Sequence, residues 1–95
     1  MQQLLAEAQA GKYAVGAFNV HTMEVAQAIA SAAEAEKSPV ILQINQGTIQ
    51  YAGVEYIAAI AKTAQALATV PVIVHLDHGT TYEVMAQCIR YGFDS

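Results

Sequence analysis

Residues 71–79 read PVIVHLDHG, an apolar run that ends in a short group of residues able to do chemistry. His75, Asp77 and His78 lie within four positions of one another. A neutral imidazole is a good ligand for Zn2+, and a carboxylate beside it can accept and return a proton. The spacing therefore predicts either a metal-assisted acid/base site or the ordinary polar end of a buried strand.

Strand geometry decides which of these side chains face the same way. Side chains alternate along a strand, so His75 and Asp77 share one face and Leu76 points to the other. His78 would follow Leu76 if the strand continued. We therefore expect the strand to end near Asp77, with Gly79 freeing the backbone to turn His78 towards a binding site.

Each residue of this group also has an explanation without chemistry. An Asp or Asn after a strand often forms a turn or caps a helix, and a histidine within a buried strand usually makes one hydrogen bond and binds no metal. A catalytic zinc needs about three protein ligands, and His21 is the only other imidazole in the chain. A single histidine therefore does not make a zinc site.

The composition excludes several classes of partner. The chain has 95 residues, four Lys or Arg and a net charge of -4, so it lacks the basic surface that nucleic acid or an anionic membrane would attract. Many of its apolar residues are Ala scattered among polar ones, and no run approaches the length of about 18 residues that a membrane span needs. The single Cys88 and the lack of a signal-peptide pattern favour a cytoplasmic protein.

Two hydrophobic periodicities alternate along the chain. Stretches with apolar residues at helical spacing follow near-continuous apolar runs, and Pro39 and Pro71 open two of the runs, where proline is tolerated. Thr22 is a candidate N-cap for the second helix, and Gly11 and Gly92 are candidate helix stops. The predicted helices cover 2–10, the segment after Thr22, 53–69 and 81–90, and the predicted strands cover 13–20, 39–45 and 71–77.

These elements predict an α/β fold, a TIM or (βα)8 barrel of which the chain forms the first three βα units behind a leading N-terminal helix. Strands without polar alternation are typical of a parallel sheet covered by helices on both faces, and strands that begin roughly 30 residues apart suit a barrel. A doubly wound open sheet is the alternative, but its G-x-G-x-x-G fingerprint is absent. The final GFDS predicts the approach to a fourth strand, so residues 1–95 are expected to be the N-terminal part of one incomplete barrel domain.

Polar residues fall at the carboxyl ends of all three predicted strands. Asn19 ends the first strand, Asn45 ends the second, and Asp77 with His78 ends the third. Barrel enzymes build their active sites on this face. We therefore expect these four side chains to be site residues.

The stretches YAVGAFNVHTMEVAQAIASAAEAEKSPVIL and VPVIVHLDHGTTYEVMAQCIRYGFDS resemble the N-terminal third of the class II, zinc-dependent fructose-bisphosphate and tagatose-bisphosphate aldolases. The resemblance covers essentially the whole chain, and VIVHLDHG is its most specific part. It implies a (βα)8 barrel, usually a homo-oligomer, and a carbon–carbon lyase of carbohydrate metabolism such as glycolysis. Such an enzyme reversibly cleaves a ketose bisphosphate into dihydroxyacetone phosphate and an aldehyde, glyceraldehyde 3-phosphate.

The resemblance also implies roles for the strand-end side chains. His78 is similar to the first of three zinc-binding histidines, and Asp77 to the acid/base that exchanges a proton with the C4 hydroxyl. Asn19 matches a substrate-contacting asparagine. Asn45 stands where the family often has Ser or Thr, so a substrate contact there rests on position alone.

Several alternatives stay open from the sequence. The family's other zinc ligands, its enolate-forming acid and its phosphate loops belong to later strands, so fructose and tagatose specificity cannot be separated. A non-catalytic βα fragment or interaction domain is the main alternative, and a hydrolytic zinc enzyme is a weaker one because H-x-H-x-D-H is incomplete. Schiff-base chemistry needs a Lys at a strand end, and none is present. The 95-residue chain by itself is expected to lack activity, because three strands cannot close a barrel.

Overall fold

The computed structural model describes residues 1–95, and the chain alternates helices with strands as an α/β fold. Three consecutive βα units follow a leading helix. The helices are α1 (Gln2–Gly11), α2 (Met23–Glu36), α3 (Gln46–Ala52), α4 (Val54–Leu67) and α5 (Tyr82–Arg90), and the strands are β1 (Gly16–Asn19), β2 (Val40–Asn45) and β3 (Val72–Asp77).

The three strands form one parallel sheet in the order β1-β2-β3. Gly16 lies opposite Val40, and Val40 lies opposite Val72, so the strands start level with one another. Parallel neighbours need a crossover connection, and each crossover here contains a helix. The predicted α/β fold with three βα units behind a leading helix is confirmed.

One face of the sheet carries the main hydrophobic core. Leu42, Ile44 and Val74 of the sheet are fully buried in one cluster with Ile57 and Ala61 of α4. Removing an aliphatic side chain of this size from water contributes about 1.5–3 kcal/mol. Alternate strand positions therefore hold the helices against this face.

No helix of the chain combines the length and the apolar character that crossing a bilayer requires.

β1 is shorter than the strand that the sequence predicts over 13–20. β2 begins at Val40, whose partner on β1 is Gly16, so residues 13–15 have no strand beside them to pair with. Val20 still donates its backbone N–H to the Gln43 carbonyl at 2.9 Å. The apolar run could not show this boundary, because a strand ends where its neighbour ends.

The sequence predicts one helix over 53–69, but the structure has two helices after β2. α3 starts directly after the strand, where Asn45 Oδ1 accepts the backbone N–H of Thr48 at 2.8 Å as an N-cap. Gly53 separates α3 from α4 with a φ of 87°, a conformation that favours glycine. Helix α3 is too short for helical periodicity to reveal it, and the cap spacing from Asn45 to Thr48 was its only sequence signal.

Helix ends agree with the sequence in part. Thr22 caps α2 with its hydroxyl, and Gly92 has a φ of 88° just past α5, both as predicted. α1 ends one residue later than predicted: Gly11 is still helical, and Lys12 adopts the left-handed conformation with a φ of 58°. Lys37 does the same after α2, with a φ of 50°.

The last residues of the chain lie beside β3. Ser95 donates its N–H to the Val74 carbonyl at 3.2 Å, and its own carbonyl accepts the N–H of Leu76 at 2.8 Å, which is the pattern of a parallel strand pair. Asp94 Oδ2 accepts the N–H of Val74 at 2.9 Å and the side-chain amide of Gln65 on α4 at 2.7 Å. These bonds agree with the prediction that GFDS approaches a fourth strand.

Glu34, near the end of α2, ties that helix to the loop that leads into β3. Its carboxylate accepts the hydroxyl of Thr69 at 2.6 Å, the backbone N–H of Thr69, and the N–H of Val70 at 3.4 Å. The hydrogen bond from the Thr69 hydroxyl, followed by the one from its backbone N–H, holds the pKa of Glu34 below its ordinary value. The charged carboxylate therefore helps to position the start of β3.

We expect Glu34→Gln to lower the thermal unfolding midpoint at neutral pH, and Glu36→Gln, at an exposed position of the same helix, to leave it unchanged. Because the folded-state pKa of Glu34 is depressed, its contribution is complete above the ordinary Glu pKa of about 4.3 and is lost as the pH falls through the lower folded-state value. Circular dichroism melts between neutral and acidic pH should show the difference between wild type and Glu34→Gln shrinking on acidification. A difference that does not change with pH would contradict this role.

Candidate active site at the carboxyl ends of the strands

The face of the sheet opposite the main core carries the polar side chains that the sequence singles out. The register pairs Asn19 with Gln43 and Gln43 with His75, and two residues further along it pairs Asn45 with Asp77. Side chains alternate in step across paired strands, so all five lie on one face. The structure thus places Asn19, Asn45 and Asp77 together, and His75 shares the face of Asp77 as expected.

Asp77 and His78 form a close pair where β3 ends. His78 Nε2 lies 3.6 Å from Asp77 Oδ2. The Asp77 side chain is 28% exposed and the His78 side chain is 83% exposed. The pair therefore joins a partly buried proton acceptor to an imidazole that is open to an incoming ligand.

The turn that takes His78 out of the strand differs from the prediction. The sequence assigns the backbone freedom to Gly79, but the left-handed residue is His78 itself, with a φ of 61°. Gly79 is needed for space instead, because a Cβ there would lie 2.7 Å from Leu76 Cδ2 and 3.2 Å from Met85 Cγ. A glycine in a sequence does not reveal which of these two reasons applies.

A hydrogen-bonded contact holds the loop that follows His78. Gln46 Oε1 accepts the backbone N–H of Thr80 at 3.0 Å and the Thr80 hydroxyl at 2.7 Å. The loop after β3 is thereby joined to the start of α3, next to Asn45. Sequence alone does not indicate this role of Gln46, because its partner lies 34 positions away and leaves no local spacing signal.

The two asparagines have side-chain partners of their own. Asn19 Oδ1 accepts from Gln43 Nε2 at 3.4 Å. Asn45 Oδ1 accepts both the backbone N–H of Thr48, at 2.8 Å, and its hydroxyl, at 3.1 Å. The backbone N–H of Thr48 fixes the carbonyl oxygen of Asn45, so the NH2 group of Asn45 is the part left to bind a ligand.

His21 extends the group around Asn45. His21 Nδ1 lies 2.5 Å from Thr48 Oγ1, and Thr48 is only 3% exposed. His21 and Thr48 line a hollow at the carboxyl ends of β1 and β2, together with Asn45 and Tyr51. From the sequence, His21 is only a further imidazole and Thr48 is not a predicted site residue, although the spacing of Thr48 from the cap residue Asn45 is a usable signal.

The histidines differ in their availability to a metal ion. Nδ1 of His75 lies 3.1 Å from Ser95 Oγ and Nδ1 of His21 contacts Thr48, so each of these rings has one nitrogen engaged, whereas the His78 ring is 83% exposed and makes no hydrogen bond within the chain. No three His, Cys, Asp or Glu side chains of the chain come together in a group that could hold a metal. An exposed imidazole matches the donor types of zinc, so His78 fits as one zinc ligand and not as a complete site.

The parallel sheet and the helical crossovers are those of the first βα units of a (βα)8 barrel, and the polar strand ends lie at the carboxyl ends of its strands, where barrel enzymes have their active sites. A family model described as "Fructose-bisphosphate aldolase class-II" matches residues 1–95. The chain belongs to this family.

Individual relatives agree with the family. The fructose-bisphosphate aldolase of Thermus caldophilus is 47% identical over 93 residues, which cover 98% of this chain and 30% of that protein. The fructose-bisphosphate aldolase of Geobacillus stearothermophilus is 44% identical over 100 residues, which cover 100% of this chain and 34% of that protein. The crystal structure of the YdjI aldolase from Escherichia coli K12 matches 99% of this chain and 37% of its own, with a TM-score of 0.94 and 31% identity. The chain thus spans about a third of the length of the curated relatives it matches.

The left-handed backbone at His78 leads to a stability prediction that does not depend on chemistry. Glycine adopts this conformation freely, whereas a β-branched residue adopts it at a cost of about 1–3 kcal/mol. In the metal-free protein, we expect His78→Gly to leave the free energy of unfolding nearly unchanged and His78→Val to lower it by about 1–2 kcal/mol. Urea unfolding of the two variants measures the difference, and equal stabilities would contradict a left-handed residue at this position.

Proposed function

We propose that residues 1–95 are the N-terminal part of a single (βα)8-barrel domain that works as a class II ketose-bisphosphate aldolase. Its reaction is the reversible retro-aldol cleavage of fructose 1,6-bisphosphate, or of tagatose 1,6-bisphosphate, into dihydroxyacetone phosphate and glyceraldehyde 3-phosphate. The observation that carries the proposal is the contact between Asp77 and His78 at the carboxyl end of β3. Membership of the class-II fructose-bisphosphate aldolase family supports it.

Asp77 is the proposed acid/base. Breaking the bond between C3 and C4 requires removal of the C4 hydroxyl proton, and the reverse condensation requires its return. Asp77 lies at the strand end on the same face as Asn19 and Asn45, and its side chain is only partly exposed. A carboxylate in this position can exchange a proton with a substrate held over the strand ends.

His78 is the proposed zinc ligand. Its exposed ring is free to coordinate an ion, and a catalytic zinc would take about two further protein ligands from other parts of the barrel. Zinc, when bound, supplies Lewis acidity towards the substrate carbonyl oxygen. The loop bond between Gln46 and Thr80 keeps the segment after His78 in place, which suits a residue that must hold a metal in one position.

None of the three lysines within residues 1–95 is placed for Schiff-base chemistry. Lys12 and Lys37 follow helix ends in left-handed conformations, and Lys62 donates to the Gly92 carbonyl at 3.0 Å. None of the three lies at the carboxyl end of a strand, where a Schiff-base lysine would have to meet the substrate carbonyl.

The two asparagines at the strand ends are the proposed substrate contacts. Asn19 and Asn45 bind the substrate through their amide N–H groups, which make no hydrogen bond within the chain. The protein acts in the cytoplasm as a homo-oligomer, and its partners are the ketose bisphosphate and triose phosphates. The net charge of -4 on residues 1–95 supports neither nucleic acid nor a membrane as a partner.

In the protein that carries these residues together with the rest of the barrel, we expect His78→Ala to lose bound zinc and aldolase activity together. His75→Asn is the matched control, because it removes an imidazole from the same face without removing the proposed ligand, and it should keep the zinc. Elemental analysis measures the metal, and a coupled cleavage assay measures the activity.

Two outcomes would count against this proposal. A wild-type protein that withstands chelation and is inactivated by borohydride in the presence of substrate would indicate Schiff-base chemistry instead. A folded, zinc-loaded wild-type protein without cleavage activity would favour the non-catalytic alternative.

A second experiment separates Asp77 from the metal. If Asp77 moves protons without binding zinc, Asp77→Asn should keep the metal and a near-normal KM while kcat falls by about 100-fold or more, the usual scale for a lost acid/base. The same elemental analysis and steady-state kinetics apply. Loss of zinc from Asp77→Asn would show that the carboxylate is a ligand and that its role has been assigned wrongly.

A further inference from the structure

The hydrogen bonds around Thr48 determine which nitrogen of His21 carries its proton. The first of these bonds leaves no choice of donor, because the backbone N–H of Thr48 can only donate to the Asn45 side-chain oxygen, 2.8 Å away. This bond orients the Asn45 amide, with Oδ1 towards Thr48 and the NH2 group away from it. The usual ambiguity between the two ends of an amide is thereby removed.

The oriented Asn45 oxygen in turn orients the Thr48 hydroxyl. Oδ1 lies 3.1 Å from Thr48 Oγ1 and can only accept, so this contact is favourable when the hydroxyl donates its proton to Oδ1, whereas a hydroxyl turned to His21 would leave two lone pairs facing each other. A hydroxyl has one proton, so Thr48 Oγ1 has only lone pairs to offer His21 Nδ1, 2.5 Å away. The proton of that second contact therefore belongs to His21 Nδ1.

We propose that Thr48 is a positioning residue that holds neutral His21 as its Nδ1–H tautomer, so that His21 Nε2 presents a lone pair at the carboxyl ends of β1 and β2. Thr48 is almost completely buried, at 3% exposure, so water does not compete for its hydroxyl. His21 is exposed, and its Nε2 makes no hydrogen bond within the chain. Buried Thr48 thus fixes the tautomer through Nδ1, and the exposed Nε2 of His21 is the atom that can contact a ligand.

The polar atoms of His21 and Asn45 that remain free for a ligand are one hydrogen-bond acceptor and one donor group. His21 Nε2 accepts, and the Asn45 NH2 group donates. Neighbouring hydroxyl groups of a carbon chain satisfy both, because one hydroxyl can donate while the next accepts. An ionised phosphate offers acceptor oxygens almost exclusively and would meet the His21 lone pair unfavourably.

The residues around the hollow agree with a neutral ligand. None of them is Lys or Arg, the side chains that bind phosphate most strongly. The hollow therefore binds the hydroxyl-bearing, uncharged part of the ketose substrate, an inference that rests on the proposed function. The residues that line it are His21, Thr22, Asn45, Gly47, Thr48 and Tyr51.

Nuclear magnetic resonance tests the tautomer without any turnover. The complete protein is labelled with 15N-histidine, His21→Asn assigns the ring signals, and proton–nitrogen correlation at a pH well above ordinary histidine titration shows which nitrogen carries the proton. We expect Nδ1–H in the wild type and in Thr48→Ser, which keeps the hydroxyl. Thr48→Val, which keeps the shape but not the hydroxyl, should release His21 to the other tautomer. A wild-type His21 protonated on Nε2 would overturn the proposal.

Thr63→Val is the matched control for the valine substitution. Thr63 is an exposed threonine of α4, away from the hollow, so this variant should keep the wild-type ring signals. Loss of the Nδ1–H signal in Thr63→Val as well as in Thr48→Val would assign the change to a general disturbance of the fold and would contradict a specific role for Thr48.

Kinetics and ligand titration test whether His21 Nε2 and the Asn45 NH2 group bind the substrate. Thr48→Val should raise the KM for the ketose bisphosphate about fivefold with kcat nearly unchanged, because a hydrogen bond made equally in ground and transition states acts on binding. Thr48→Ser should restore the wild-type KM. D-fructose should shift the His21 ring signals and inorganic phosphate should not. Shifts caused by phosphate alone would overturn the assignment of a neutral ligand.

These measurements separate the two proposals from each other. A wild-type protein with the Nδ1–H tautomer and the fructose-induced shift, but without cleavage activity, would refute the proposed aldolase function and would leave the role of Thr48 intact. An active aldolase whose His21 is protonated on Nε2 would refute the role of Thr48 alone.

Discussion

The level parallel pairing of β1, β2 and β3 is the constraint on which the rest of this structure depends. The same register that buries Leu42, Ile44 and Val74 under the helices places Asn45 opposite Asp77 on the other face. A slip of one residue would turn every strand position to the opposite side. It would put polar side chains into the core and remove them from the strand ends. The burial that stabilises the sheet therefore also assembles the candidate site.

Hydrogen bonds between distant loops complete the arrangement that the sheet begins. Gln46 holds Thr80 behind His78, and Glu34 holds Thr69 before β3. Each bond joins segments more than 30 positions apart in the chain. Both ends of β3 are thus fastened to neighbouring elements, which limits the movement of Asp77 and His78 relative to the other strands.

Asn45 shows how a helix cap can contribute to a binding surface. Its oxygen caps α3 and also accepts the Thr48 hydroxyl, while its NH2 group remains available to a ligand. A Ser or Thr at the same position could cap the helix but would have no amide N–H left to offer. The asparagine therefore combines a structural bond with a donor, and through Thr48 it also determines the proton position on His21.

Features that depend on neighbours along the chain were predictable from the amino-acid order. Alternating periodicities indicated the α/β class and three βα units, and the caps at Thr22 and Gly92 were readable because a cap acts over three or four residues. The string HLDH identified Asp77 and His78 as candidates, and its resemblance to the aldolases indicated the family that the comparison then showed.

Features that depend on contacts across the fold became visible only in the folded chain. β1 starts at Gly16 because β2 has no residue before Val40 to pair with it. Gly79 is crowded because the side chains of Leu76 and Met85 lie close to it. The contact of Gln46 with Thr80 and that of His21 with Thr48 join residues 34 and 27 positions apart. The physical reason is that periodicity and capping are local, whereas the partner of a strand edge, a crowded glycine or an imidazole nitrogen is chosen by the folding of the whole chain.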